Sequence, residues 1–118
     1  MPSRSYRDLI AWQKAVNLAV LVYEKTRGFP KEELYGLMSQ MRRAAVSVPS
    51  NLAEGQGRAA QQDFLRFTNI SMGSVQELET QFEIARRLGY VQESCLQEVT
   101  ECLSEVARLI RGLQKSLM

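Results

Sequence analysis

The sequence predicts an all-α fold: an antiparallel up-down-up-down four-helix bundle formed by residues 1–118 as a single domain. Three observations point there. Apolar residues recur at spacings of three and four along four segments, which is the period of one helix face and not of a strand. Glycine and proline are sparse, and their clusters fall between those segments. The connecting stretches are short, and short connections make successive helices antiparallel neighbours.

The first helix opens at Ser5. With Asp8 three residues on it reads as a capping box, and the apolar run then continues to about Thr26 before Gly28 ends it. From Ala15 to Tyr23 only Asn17 is polar, so apolar groups cover several faces of this helix where one stripe would suffice. A surplus of that kind marks an interface, and contact between copies of the chain needs no other partner to explain it. Leu18 and Leu21 are the candidate interface residues here. Trp12 reads as a core residue faced by small residues of the other helices.

The second helix is expected from Pro30, with Glu32 and Glu33 in its first turn, to Gly55 or Gly57. Its apolar stripe is Leu34, Leu37, Met38, Met41, Ala45, Val48 and Leu52. Pro49 lies inside it, where a proline removes one backbone donor and presses on the carbonyl of Ala45, at a cost of ~3 kcal/mol. Ser47, Ser50 and Asn51 are close enough to help satisfy the loosened backbone, so Met41 to Gly55 reads as a specified kink.

The third helix places Phe64, Phe67, Ser71, Ser74, Leu78, Phe82 and Ala85 on one face and stops at Leu88-Gly89. The fourth has the cleanest pattern. Leu96, Val99, Leu103, Val106, Ile110, Leu113 and Leu117 alternate three and four without a break, as a coiled-coil-like seam requires.

Composition narrows the function classes. Apolar residues make up 45% and charged residues 24%, ordinary for a globular domain. The net charge is only +2, but residues 1–30 hold five Lys/Arg against two acids while residues 59–118 hold six against eight. An anion-attracting surface is therefore expected to draw on the first half of the chain. There is no histidine, which removes the commonest general base and metal ligand together. Two helical turns between Cys95 and Cys102 make ~10 Å, beyond disulfide reach, so both read as reduced thiols. The longest apolar run, Leu18 to Tyr23, is too short to span a membrane, and no signal-peptide core is present. A cytoplasmic protein without a cofactor or metal is expected.

Catalytic motifs are correspondingly scarce. Gly55 and Gly57 lack the lysine and spacing of a P-loop, and no serine has a histidine to activate it. The glutamates of the last two helices read as solvated faces, Glu83 with Arg86 and Arg87, and Glu101 and Glu105 with Arg108. Arg42 and Arg43 point about 100° apart around their helix. Arg42 suits either a carboxylate of a neighbouring subunit or a phosphate. Lys14, Arg42, Arg43 and Arg58, extended by Arg4 and Arg7, form the candidate surface for RNA or DNA. Arg42, Arg43 and Glu54 are the cast of an alternative, a cofactor-free enzyme with an arginine-lined pocket. A scaffold for a protein partner is the third reading.

Three blocks resemble a known family: YRDLIAWQKAVNL (Tyr6 to Leu18), FPKEELYGLMSQMRRAAVSVPSNLAEG (Phe29 to Gly55) and FLRFTNISMGSVQELETQFEIARRLGY (Phe64 to Tyr90). Together they are similar to the four-helix-bundle proteins encoded in intervening sequences of 23S ribosomal RNA genes. The resemblance implies a ring-like homopentamer, in a family with no established catalytic activity. It also implies kinship with the accessory variability determinant of diversity-generating retroelements, whose pentamer binds nucleic acid and a reverse transcriptase through a basic surface.

Overall fold

A computed structural model describes residues 5–118, so the candidate cation Arg4 lies outside the described residues. A 3-10 turn at Tyr6–Asp8 leads into α1 (Ile10–Thr26), and a second at Lys31–Glu33 precedes α2 (Leu37–Gln56). Then come α3 (Gln61–Arg87) and α4 (Glu93–Leu117), with no strand among the described residues. Each helix packs on its chain neighbours and α1 closes against α4, giving a four-sided bundle elongated to 48 × 25 × 19 Å. Gln114 near the end of α4 donates to Thr68 and Asn69 near the start of α3, which sets those two helices antiparallel. The all-α up-down-up-down expectation holds.

The core sits where the four stripes meet. Leu18 and Val22 of α1, Met41, Val48 and Leu52 of α2, Leu78 and Phe82 of α3, and Val99, Val106 and Ile110 of α4 are buried. Each large side chain removed from water contributes ~1.5–3 kcal/mol, which is what holds helices of this length together.

Two helix starts differ from expectation. Ser5 Oγ accepts from the Arg7 amide at 3.0 Å and Ser5 O from the Asp8 amide at 3.0 Å, capping a 3-10 turn to which the Asp8 carboxylate adds no bond, so α1 proper begins at Ile10. Likewise Pro30 opens a 3-10 turn, Gly36 adopts a non-helical conformation, and α2 begins only at Leu37. Glu33 Oε1 accepts from the Leu37 amide at 2.9 Å, satisfying one of the donors that a helix start leaves free. Leu34 therefore never joins the α2 stripe and is 48% exposed.

α2 runs through Pro49 without a break. Asn51 Nδ2 donates to Ser47 O at 2.8 Å and to Ser47 Oγ at 2.9 Å, while Ser50 is exposed. Helix α3 adds two more, Ser71 Oγ donating to Val48 O and Ser74 Oγ to Ser47 Oγ, both at 2.9 Å, so these side chains bond the turn before Pro49 and not the Ala45 carbonyl itself. Buried hydroxyls need such partners, and here they tie the proline-containing turn to its neighbour. Beyond this seam Gly55 brings the backbones close, since a Cβ there would lie 2.7 Å from Phe67 Cβ. At the far end of α3, Gly89 takes φ +80°, and the Tyr90 amide bonds back to Ala85 O at 2.9 Å, a Schellman stop.

Candidate functional site

The surplus apolar surface of α1 emerges on the side it shares with α2. Val16, Ala19, Val20, Tyr23, Val46 and Pro49 line an open groove of about 360 Å³, with Glu24 and Arg27 at its rim. Val20 is 52% exposed, Val46 43% and Tyr23 42%. Leu18, a candidate for this face, is instead wholly buried in the protomer core, and Leu21 is half-buried against it. The correction is one of helical phase. Leu18 and Val22 lie four apart and point inward, so Val16, Val20 and Tyr23 take the outer side. An all-apolar helix leaves that phase ambiguous in the sequence.

Arg42 does not reach outward for a carboxylate. Its Nε donates to Thr26 Oγ1 at 2.9 Å and a terminal nitrogen donates to Tyr23 O at 3.1 Å. The guanidinium also lies 4.5 Å from the centre of the Tyr23 ring. It thus serves the open carbonyl end of α1, where a positive charge is favoured, and braces the tyrosine that walls the groove.

The other candidate cations are dispersed. Lys14 lies 3.8 Å from Glu105 of α4, and Arg58 lies 3.2 Å from Glu54. Arg43 is exposed and makes no ion pair among the described residues. Arg43 and Arg58 are fifteen positions apart along the chain, ~20 Å at the helical rise, so no single small ligand spans them. Twelve and eleven positions, ~17 Å at the helical rise, part Arg42 and Arg43 from Glu54, while the two arginines themselves line one open pocket with Tyr23, Leu34, Met38 and Ser39.

Charge is distributed by bundle end, not by half of the chain. Antiparallel helices bring residues 5–18, 48–73 and 104–118 to one end, which holds seven Lys/Arg and four acids. The opposite end, from residues 19–47 and 74–103, holds seven Lys/Arg and nine acids. On the basic end Arg7, Arg66, Arg108, Arg111 and Lys115 have no acidic partner among the described residues. Arg58 and Arg66 both lie 4.9 Å from the centre of the Phe67 ring, and Arg7 lies 5.4 Å from that of Trp12, which packs edge-on against Tyr6. Sequence reasoning missed this clustering because the contributing segments are far apart in the chain.

The acidic end is internally neutralised in places. Arg86 and Arg87 both bond Glu83, Arg86 first, and lower the pKa of its carboxyl to about 2. Lys25 bonds Glu98 at 2.9 Å, while the pairing of Glu101 or Glu105 with Arg108 does not form. Cys95 and Cys102 are free and half-buried, and burial pushes both thiols up. No helix among the described residues is long and apolar enough to cross a membrane.

Four antiparallel helices, a proline-bearing α2 and a serine seam run through nearly the whole chain, and the profile of one family, the 23S rRNA-intervening sequence proteins, matches residues 7–112. The chain belongs to that family. A protein of unknown function of the S23 ribosomal protein family from Bacteroides thetaiotaomicron shares the fold of this family member. It has a TM-score of 0.80 and 19% identity, covering 90% of this chain and 99% of that one. Comparison with curated proteins gives no match.

Proposed function

We propose that this intervening-sequence protein is a non-catalytic cytoplasmic building block that self-associates through the α1–α2 face into a homopentameric ring. One observation carries the reading: Val20, Tyr23 and Val46 stand about half exposed around one apolar groove. Contiguous apolar surface rimmed by charge is the ordinary mark of a protein interface. Val20→Glu tests it, because an unpaired charge in such an interface is costly. The variant is expected to fall to monomer with unchanged helical circular dichroism. A wild-type assembly in that variant would refute the use of this face.

A second reading follows from the uneven charge. Five cations without acidic partners at one bundle end favour sequence-independent contact with RNA or DNA phosphates, in keeping with the kinship to the retroelement determinant that the sequence resemblance implies. Such binding is mostly electrostatic, with a log–log salt slope of ~0.7–0.9 per phosphate contact. Arg66→Glu and Arg111→Glu are expected to weaken it more than Arg43→Glu, which lies at the other end. No gel shift at ~50 mM salt, where such contacts are strong, would leave the assembly as a scaffold for a protein partner.

A further inference from the structure

The outer side of α2 carries a pocket with two guanidinium groups and no carboxylate. Tyr23, Leu34, Met38, Ser39, Arg42 and Arg43 enclose an open space of about 320 Å³, which shares only Tyr23 with the apolar groove. Arg42 and Arg43 follow Ser39 by three and four positions, a spacing that puts all three on one side of the helix. The pocket lies at the bundle end where nine acids face seven Lys/Arg, so its positive charge is a local feature.

The two arginines are prepared differently. Arg42 is ordered by its bonds to Thr26 Oγ1 and Tyr23 O and by the Tyr23 ring, while its second terminal nitrogen has no partner among the described residues. A guanidinium held in place beforehand loses little freedom when a ligand arrives. Arg43 is exposed and bonds to nothing among the described residues. Glu77, which shares the adjoining α2–α3 cleft with Arg43, is engaged elsewhere, accepting from Gln81 Nε2 at 3.1 Å. Ser39 is half-buried, and its hydroxyl has no partner among the described residues either. Opposite these polar groups stand Leu34 and Tyr23, each about half exposed.

We infer that this pocket binds a small phosphate monoester bearing an apolar or aromatic group. Arg43 and the open nitrogen of Arg42 donate to the phosphate oxygens, as guanidinium forks do, and Ser39 Oγ adds a third donor. The organic group lies against Leu34 and Tyr23. Two positive charges match a dianion better than the single charge of a carboxylate. The volume falls at the lower end for small-molecule sites, about 300 Å³ upward. A polyanion is disfavoured, because its further charges would meet the acids of this end. The site is thus separate from the nucleic-acid reading, which uses the other end.

Titration calorimetry with phenyl phosphate tests the assignment on the wild type and on Val20→Glu. Val20 lies in the groove and not in the pocket, so binding by that variant stands whether or not copies associate. Saturable binding of one phenyl phosphate per chain is expected. Arg43→Gln should weaken it at least ~10-fold, the loss of one charge-assisted hydrogen bond. Arg43→Lys, which keeps the charge without the fork, should weaken it less. Arg43 is exposed, so the bundle should fold in both, as circular dichroism would verify. Inorganic phosphate and phenol are each expected to bind more weakly than phenyl phosphate, and Arg66→Gln at the far end should change nothing. Absence of saturable binding in both proteins would overturn the inference. Equal weakening by Arg66→Gln and Arg43→Gln would overturn it too, since diffuse attraction to the whole surface would then explain the binding.

Discussion

Gly55 offers a quantitative test of how α2 and α3 meet. A Cβ at this position would lie 2.7 Å from Phe67 Cβ, 2.9 Å from Phe64 Cδ1 and 3.3 Å from Phe64 O. The first and last of these neighbours belong to the root of a side chain and to the backbone, so neither can swing away, and α3 itself must shift. Overpacking of that kind costs ~1–3 kcal/mol. Replacing glycine by alanine inside a helix returns ~1 kcal/mol of propensity. With two contacts under 3 Å, one to the immobile Phe67 Cβ, the upper part of that range applies, ~2–3 kcal/mol. Gly55→Ala should lose ~1–2 kcal/mol, lowering Tm by ~3–10 °C for a domain of this size. Gly73→Ala is the control. It lies in the middle of α3, and a Cβ there would meet nothing within 4 Å, so it should gain up to ~1 kcal/mol. Thermal unfolding followed by circular dichroism reads both. A Gly55→Ala protein at least as stable as wild type would refute the close approach of the two helices.

Three further outcomes are expected. Ser71→Ala removes the buried hydrogen bond to Val48 O at 2.9 Å and should cost ~0.5–1.5 kcal/mol in urea unfolding, where no change in midpoint would show the bond to be idle. Glu83 has its carboxyl pKa lowered to about 2 by Arg86 and then Arg87, below its unfolded value. Its contribution to stability is therefore present above the ordinary carboxylate range and lost as pH falls towards 2. Glu83→Gln should flatten the acid side of the stability–pH profile in that window, and an unaltered profile would count against the pairing. Pro49→Ala restores a backbone donor and favours the helix, so α2 should persist. Since Pro49 also walls the groove, the assembly should weaken, and an unchanged oligomer would make the proline incidental to it.

The sequence made the fold legible where one stripe per helix decides the packing. In α4 the unbroken alternation from Leu96 to Leu117 left a single choice of inner face, and Val99, Leu103, Val106 and Ile110 are buried on it. It was less legible where local signals are ambiguous. Pro30 followed by two glutamates is a good helix start by composition, but Gly36 ends the turn, and Glu33 caps a later helix while holding Tyr90 of the opposite loop. A contact 57 positions away leaves no mark in local propensity. The site was legible only in outline. An excess of apolar residues on α1 announced an exposed face, yet the phase that turns Leu18 inward and Val20 outward depends on where the other three helices lie. The charge pattern failed for the same reason: adjacency in an antiparallel bundle joins Arg7, Arg66 and Arg111, which the chain keeps apart. Ser71 and Ser74 had a signal, since serines on a core stripe must find acceptors, and here the acceptors are on the turn around Pro49.

Self-association is the central claim, and the mass of the untreated protein in solution tests it most directly. Size exclusion coupled to light scattering at micromolar concentration is expected to give about five times the 13.4 kDa of one chain. A single species at 13.4 kDa would contradict the account, leaving the exposed Val20, Tyr23 and Val46 face without the occupant assigned to it.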